Sequence, residues 1–139
     1  MQKQYRDIVF EFSKIISEFN NVNYIILFGS VARGEADKRS DIDLCVVITN
    51  NKYRKEISNI ALDLEKKYDR NIQLVITKNF ERLDKYFIKQ LLTEGIILYA
   101  LTPIIKFKNL KCKNVVIFKF SLKNLKQSEK MHIKRILYG

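Results

Sequence analysis

Apolar residues recur at helical spacing near the start of the chain. Ile8, Phe12, Ile15, Ile16 and Phe19 lie on one stripe with charged residues between them, which predicts an amphipathic helix over residues 5–19. Asn20 and Asn21 are suited to end it. Residues 23–28 (NYIILF) form a short β-rich apolar run, the pattern of a buried strand. Gly29 breaks the run, and Ser30 stands where it can cap a short helical turn through Arg33. A polar loop follows over residues 34–40, and then a second strand, Ile42–Ile48. One side of it carries Ile42, Leu44, Val46 and Ile48, the other Asp41, Asp43, Cys45 and Val47; both are mostly apolar, so the strand is expected to be central.

Helical spacing returns over residues 52–68, through Ile57, Ile60, Ala61 and Leu64. Residues 71–77 (NIQLVIT) read as a third strand. Residues 79–93 read as one helix with Phe80, Leu83, Phe87 and Leu91 on a single stripe, ended by Gly95. Ile96–Tyr99 is expected to be a fourth strand, at an edge. Pro103, the single proline, marks a boundary beyond which residues 115–120 suggest a strand and residues 122–137 a basic helix. The order α-β-turn-β-α-β-α-β predicts an α/β (α+β) domain, a small mixed sheet with helices packed on it, over residues 1–103. A basic extension over 104–139 is expected to pack on that domain or to be swapped from it.

Charge sharpens this division. Residues 1–103 carry 16 Lys/Arg and 14 Asp/Glu, whereas residues 104–139 carry 10 Lys/Arg and only Glu129. Nearly all of the net +11 therefore belongs to the extension. A lysine-rich solvated surface accounts for that, and so does an anionic partner. Lys106, Lys108, Lys111, Lys113 and Lys119 alternate with Phe107, Phe118 and Phe120, a mixture that suits phosphate contact and base stacking, or equally a packed strand. The composition, 47% hydrophobic and 29% charged, is that of a folded soluble domain. No apolar run approaches the ~20 residues of a membrane span, and the charged N-terminus does not read as a signal peptide. A cytoplasmic location and no membrane partner are the expectation. Cys45 and Cys112 lack metal or redox spacing, and Cys45 reads as a small buried hydrophobe. His132, in the basic segment, reads as a surface residue.

The stretch LFGSVARGEADKRSDIDLCVVI, residues 27–48, carries the candidate chemistry. Side chains alternate across a strand, so Asp41 and Asp43 project from the same face, roughly 6–7 Å apart. Two like charges on a half-buried strand repel and lose hydration unless something neutralises them. Mg²⁺ fits, since it takes one or two carboxylates together with waters and substrate phosphates; a carboxylate pair capping the preceding loop is the alternative. Gly29 lets an anion approach the backbone, and the Ser30 hydroxyl can donate to a phosphate or act as a plain helix cap. Arg33, one turn on, is the best placed of three loop cations to neutralise phosphate charge, while Lys38 and Arg39 read as solvated.

Gly29-Ser30, ten residues, then Asp41-Ile42-Asp43 resembles the signature of the nucleotidyltransferase fold shared with DNA polymerase beta. The longer form, LFGSVARGEADKRSDIDL, is very similar to the small stand-alone members called minimal nucleotidyltransferases, which are often paired with HEPN-domain toxins. The resemblance spans roughly residues 22–100 and leaves 104–139 unexplained. It implies that Asp41 and Asp43 hold Mg²⁺, that Gly29 and Ser30 grip the phosphates of ATP or another nucleoside triphosphate, and that a third acid lies on the following strand. At that position the chain has Gln73, whose amide bears no charge and is no base at neutral pH. Asp69, just before the strand, is the nearest substitute.

Three functions are compatible with this pattern. The first is transfer of AMP from ATP to a hydroxyl, by the resemblance a tyrosine of a partner HEPN toxin, which would make this chain an antitoxin. The second is a catalytically weak nucleotide-binding module that acts by contact with a partner. The third is nucleic-acid binding through the basic segment.

Overall fold

The computed structural model describes residues 1–101; the strand and basic helix expected beyond Pro103 lie outside the described residues. Elements follow in the order α1 (Lys3–Ile16), β1 (Val22–Phe28), α2 (Gly29–Arg33), β2 (Ile42–Ile48), α3 (Arg54–Tyr68), β3 (Ile72–Thr77), α4 (Lys85–Glu94) and β4 (Ile96–Ala100), with one 3-10 turn at Phe80–Arg82. The sheet order is β3-β2-β1-β4. β1 runs antiparallel to β2 and to β4, while β2 and β3 are parallel, joined by α3 as the crossover helix. The mixed α+β sheet expected from the sequence is therefore present, with β2 internal and β4 at an edge.

Alternation along the two central strands divides the core into two layers. Ile25 and Leu27 of β1, with Ile42, Leu44, Val46 and Ile48 of β2, face α1 and α3. They pack there with Tyr5, Ile8, Phe12 and Ile16 of α1 and with Ile57, Ala61 and Leu64 of α3. Tyr24, Ile26 and Phe28, with Cys45 and Val47, face the other way and meet Leu91 of α4 and Ile97 of β4. A shift of register between Val22 and Tyr24 lets Val22 join the first layer, although it and Tyr24 have the same parity. Cys45 is fully buried and its thiol is pushed up to about 12 by desolvation, so it is the inert small hydrophobe that its neighbours suggested.

The first helix ends at Ile16 with Ser17 as its C-cap, short of the expected end at Asn20 and Asn21, and two further local expectations need correction. The helix expected over 79–93 is broken. Asn79 accepts from the Glu81 N–H and opens the 3-10 turn; Leu83 then leaves the helical region (φ −81°, ψ 150°), and Asp84 accepts from the Tyr86 N–H to start α4. Two capping side chains five residues apart each nucleate a helix start, which outweighs the continuous apolar stripe. Phe80, Leu83, Phe87 and Leu91 still reach the same core layer, but from two elements. The other correction concerns Ser30, which does not cap the turn. Phe28 occupies the N-cap position with no side-chain hydrogen bond, and Ser30 lies inside α2.

The loop leading into β2 is tied down from α1. The buried Tyr5 hydroxyl donates to the carbonyls of Asp37 and Ser40, and the Gln2 amide donates to the Ala36 carbonyl at 3.2 Å. Within the loop, the Arg39 N–H and the Ser40 hydroxyl both donate to the Asp37 carboxylate. These bonds set where the chain enters β2, and hence where Asp41 and Asp43 stand. Among the described residues no helix is long and apolar enough to cross a membrane.

Candidate active site

The carboxyl end of β1 and the amino end of β2 meet at one edge of the sheet, where Phe28 stands opposite Asp43 and Asp43 stands beside Gln73 of β3. Asp43, Cys45 and Val47 share a face with Gln73, Val75 and Thr77, so the site opens on the α4 side of the sheet. Its apolar flank is Phe28, packed edge-on against Phe87 of α4 at 5.0 Å between ring centroids.

Gly29 is the contact point between the turn and the carboxylates. It has φ +74°, a conformation strained for residues with a side chain. A Cβ added there would lie 2.0 Å from Asp43 Oδ2 and 2.9 Å from its Cγ. The Asp43 carboxylate thus rests against the Gly29 backbone, and only hydrogen at that position leaves it room. Ser30 is the next residue, half-buried, and Arg33 ends the same five-residue turn.

Electrostatics mark Asp43 as under-neutralised. Burial pushes its carboxyl above the ordinary value of 3.8, the neighbouring Asp41 and Glu94 add to the shift, and Arg33 opposes it. Gln73, the residue in the place of a third acid, is in the site. Its Nε2 donates to Asp41 Oδ2 at 2.9 Å, so it supplies a donor where an acid would add a third negative charge. Asp69 instead closes α3 in the left-handed conformation (φ 53°, ψ 50°). Among the described residues no group of three or more His, Cys, Asp or Glu side chains is placed to hold a metal. Two half-buried carboxylates with hard oxygen donors do fit a cation that completes its shell with phosphate and water, which is the habit of Mg²⁺.

Arg33 is engaged on both sides, by Glu35 at 2.9 Å and by Glu94 Oε2 at 2.5 Å. Lys38 and Arg39 are exposed, as expected of solvated loop charges. Glu94 was not singled out in the sequence. It is 61 residues from Arg33, and its only local signal is a carboxylate just before the Gly95 that ends α4.

Replacing Gly29 with Ala is expected to separate site from fold. The positive φ costs about 1–2 kcal/mol. The clash falls on the movable end of Asp43, so the domain stays folded while that carboxylate is driven off the turn. Circular dichroism should show a native spectrum with a lowered melting temperature, and calorimetry should show loss of Mg-ATP binding. Unchanged binding would mean that the contact between Gly29 and Asp43 does not shape the site.

Residues 11–103 match the family described as Polymerase beta, Nucleotidyltransferase. Two proteins of Methanocaldococcus jannaschii, both provisionally named protein adenylyltransferase, are similar to the chain. One is 36% identical over 77 residues, covering 52% of this chain and 78% of the relative. The other is 31% identical over 94 residues, covering 66% and 91%. Among solved structures, a chain of a toxin–antitoxin crystal structure with AMP-PNP superposes with a TM-score of 0.51 at 22% identity, covering 71% of this chain and 74% of that one. A chain of a mutant toxin–antitoxin complex does so with a TM-score of 0.51 at 19% identity, covering 94% and 89%. At such identities the likeness is one of fold.

Proposed function

This chain belongs to the polymerase beta nucleotidyltransferase family, and from that premise we propose that it binds Mg-ATP at Asp41, Asp43 and the Gly29–Arg33 turn and transfers AMP to a hydroxyl of a protein partner. The observation that most supports this reading is the Asp43 carboxylate seated against the Gly29 backbone, which puts a cation-seeking carboxylate directly against the turn that carries Ser30 and Arg33. The provisional names of the M. jannaschii relatives point to a protein acceptor. The toxin–antitoxin structures of the same fold, one with AMP-PNP, agree with an adenine nucleotide and a toxin partner. A tyrosine of a HEPN-type toxin is the acceptor that the resemblance to minimal nucleotidyltransferases suggests.

Each residue has a separable task in this scheme. Asp41 and Asp43 would hold the divalent ion, which when bound neutralises charge on the triphosphate. Gly29, lacking a Cβ, lets the Asp43 carboxylate sit against the phosphate-binding turn; the Ser30 hydroxyl donates to phosphate oxygens, and the Arg33 guanidinium pairs with them. The acceptor oxygen attacks the α-phosphorus, the bond from that phosphorus to the bridging oxygen of the β-phosphate breaks, and pyrophosphate leaves. The acceptor proton must pass to a base, and Gln73 cannot receive it at neutral pH. The hydrogen bond from Gln73 to Asp41 therefore favours a second reading, a nucleotide-binding module that transfers slowly and neutralises its partner by contact.

Incubation with α-labelled ATP, Mg²⁺ and a co-purified partner toxin tests both readings. Label on the partner that is lost with EDTA and competed by unlabelled ATP is the expected result. A protein that binds Mg-ATP but labels nothing leaves the binding module as the function, and one that binds no nucleotide rejects both.

A further inference from the structure

Glu94 is the last residue of α4, and its side chain is only 12% exposed. Its Oε2 lies 2.5 Å from Arg33 Nη1, while the second partner of Arg33, Glu35, is a 65% exposed neighbour two residues along the chain. An exposed pair of that kind restrains a long side chain weakly, whereas a shielded carboxylate presented by another element restrains it well. The end of α4 is itself pinned. A Cβ on Gly95 would lie 2.1 Å from the Leu91 carbonyl oxygen and 3.0 Å from Ile26 Cγ2, so the chain leaves the helix tight against β1 and holds Glu94 beside α2.

We propose that Glu94 is a positioning residue of the nucleotide site, holding the Arg33 guanidinium at the end of the Gly29–Arg33 turn so that it meets the triphosphate already oriented. The proposal rests on the nucleotide-binding reading above. The ion pair uses Nη1 of Arg33 and the pair with Glu35 uses Nε, while Nη2 has no partner among the described residues. An incoming phosphate can take Nη2 and displace the exposed Glu35 without breaking the contact with Glu94. Glu94 does not complete a three-acid cluster with Asp41 and Asp43, so its task is to orient the cation rather than to bind metal.

Calorimetric titration of Mg-ATP into the full chain and its variants tests this through a double-mutant cycle. Arg33→Ala should weaken binding ~10–100-fold and Glu94→Ala about tenfold. The double variant should bind no worse than Arg33→Ala alone. Glu94→Gln keeps an acceptor oxygen in place and should fall between wild type and Glu94→Ala. If Glu94→Ala does not fold, the same cycle run with Glu94→Gln serves, with a loss in the wild-type background and none in the Arg33→Ala background. Unaltered affinity on substituting Glu94, or losses that multiply in the double variant, overturns the positioning role. Wild-type protein that binds no Mg-ATP overturns the nucleotide reading and this one with it, so the two failures are distinguishable.

Discussion

Gln73→Asp is expected to raise the rate of AMP transfer ~10²–10⁴-fold, the contribution typical of a positioned general base. Position 73 stands in register with Asp43, and its side chain already reaches Asp41, so a carboxylate there would lie within the site without any rearrangement of β3. The same substitution removes the Gln73 Nε2 donor from Asp41 and adds a third negative charge at that sheet edge. The apo protein should therefore lose about 1–3 kcal/mol of stability, and Mg²⁺ should recover it by neutralising the cluster. Rates from labelled-ATP transfer and melting temperatures with and without Mg²⁺ read the two effects independently. A wild type that is already fast, with a Gln73→Asp variant no faster, would place the base elsewhere than position 73.

The second large effect is expected of Asp43→Asn. Burial first, then Asp41 and Glu94, raise the Asp43 carboxyl, so the folded chain holds that proton more tightly than the unfolded chain does. The carboxyl therefore contributes stability at low pH, and that contribution is lost as pH rises from about the ordinary 3.8 through its raised folded value. At neutral pH the Asn variant should be as stable as wild type or more so, and the difference should close on acidification below the ordinary carboxylate range. Nucleotide response should go the other way. At a hundredfold excess over Kd, Mg-ATP should stabilise wild type by about 2.7 kcal/mol, or roughly 10 °C in Tm for a chain of this size. The Asn variant should show no rise. Heavy loss of apo stability in Asp43→Asn, together with a wild type that ignores Mg-ATP, would make the aspartate pair a structural feature of the loop.

Both experiments turn on residues whose importance was legible at different levels. Alternation carried along DIDLCVVI predicts Asp41 and Asp43 on one side of the second strand, because side-chain direction in a strand is a property of the backbone. The central place of that strand, the helices of residues 3–16 and 54–68, and the inert character of Cys45 follow in the same way from local apolar patterning. The break between Phe80–Arg82 and α4 did not, because a stripe of Phe80, Leu83, Phe87 and Leu91 satisfies one helix or two equally well. The outcome depended on capping bonds from Asn79 and Asp84 that compete with helix continuation.

What the tertiary structure alone decided is which groups touch. Gly29 reads in the sequence as a strand breaker open to an anion; in the fold the Asp43 carboxylate rests against it, because β1 and β2 pair in the register that sets Phe28 opposite Asp43. Gln73 is a missing acid in the sequence; in the fold it is a hydrogen-bond donor to Asp41. Glu94 carries no motif at all, and reaches Arg33 because α4 packs across β1 and ends beside the last residue of α2. Contacts between residues 32 and 61 positions apart, such as Gln73 with Asp41 and Glu94 with Arg33, are set by strand register and helix packing, and no local period in the chain encodes them.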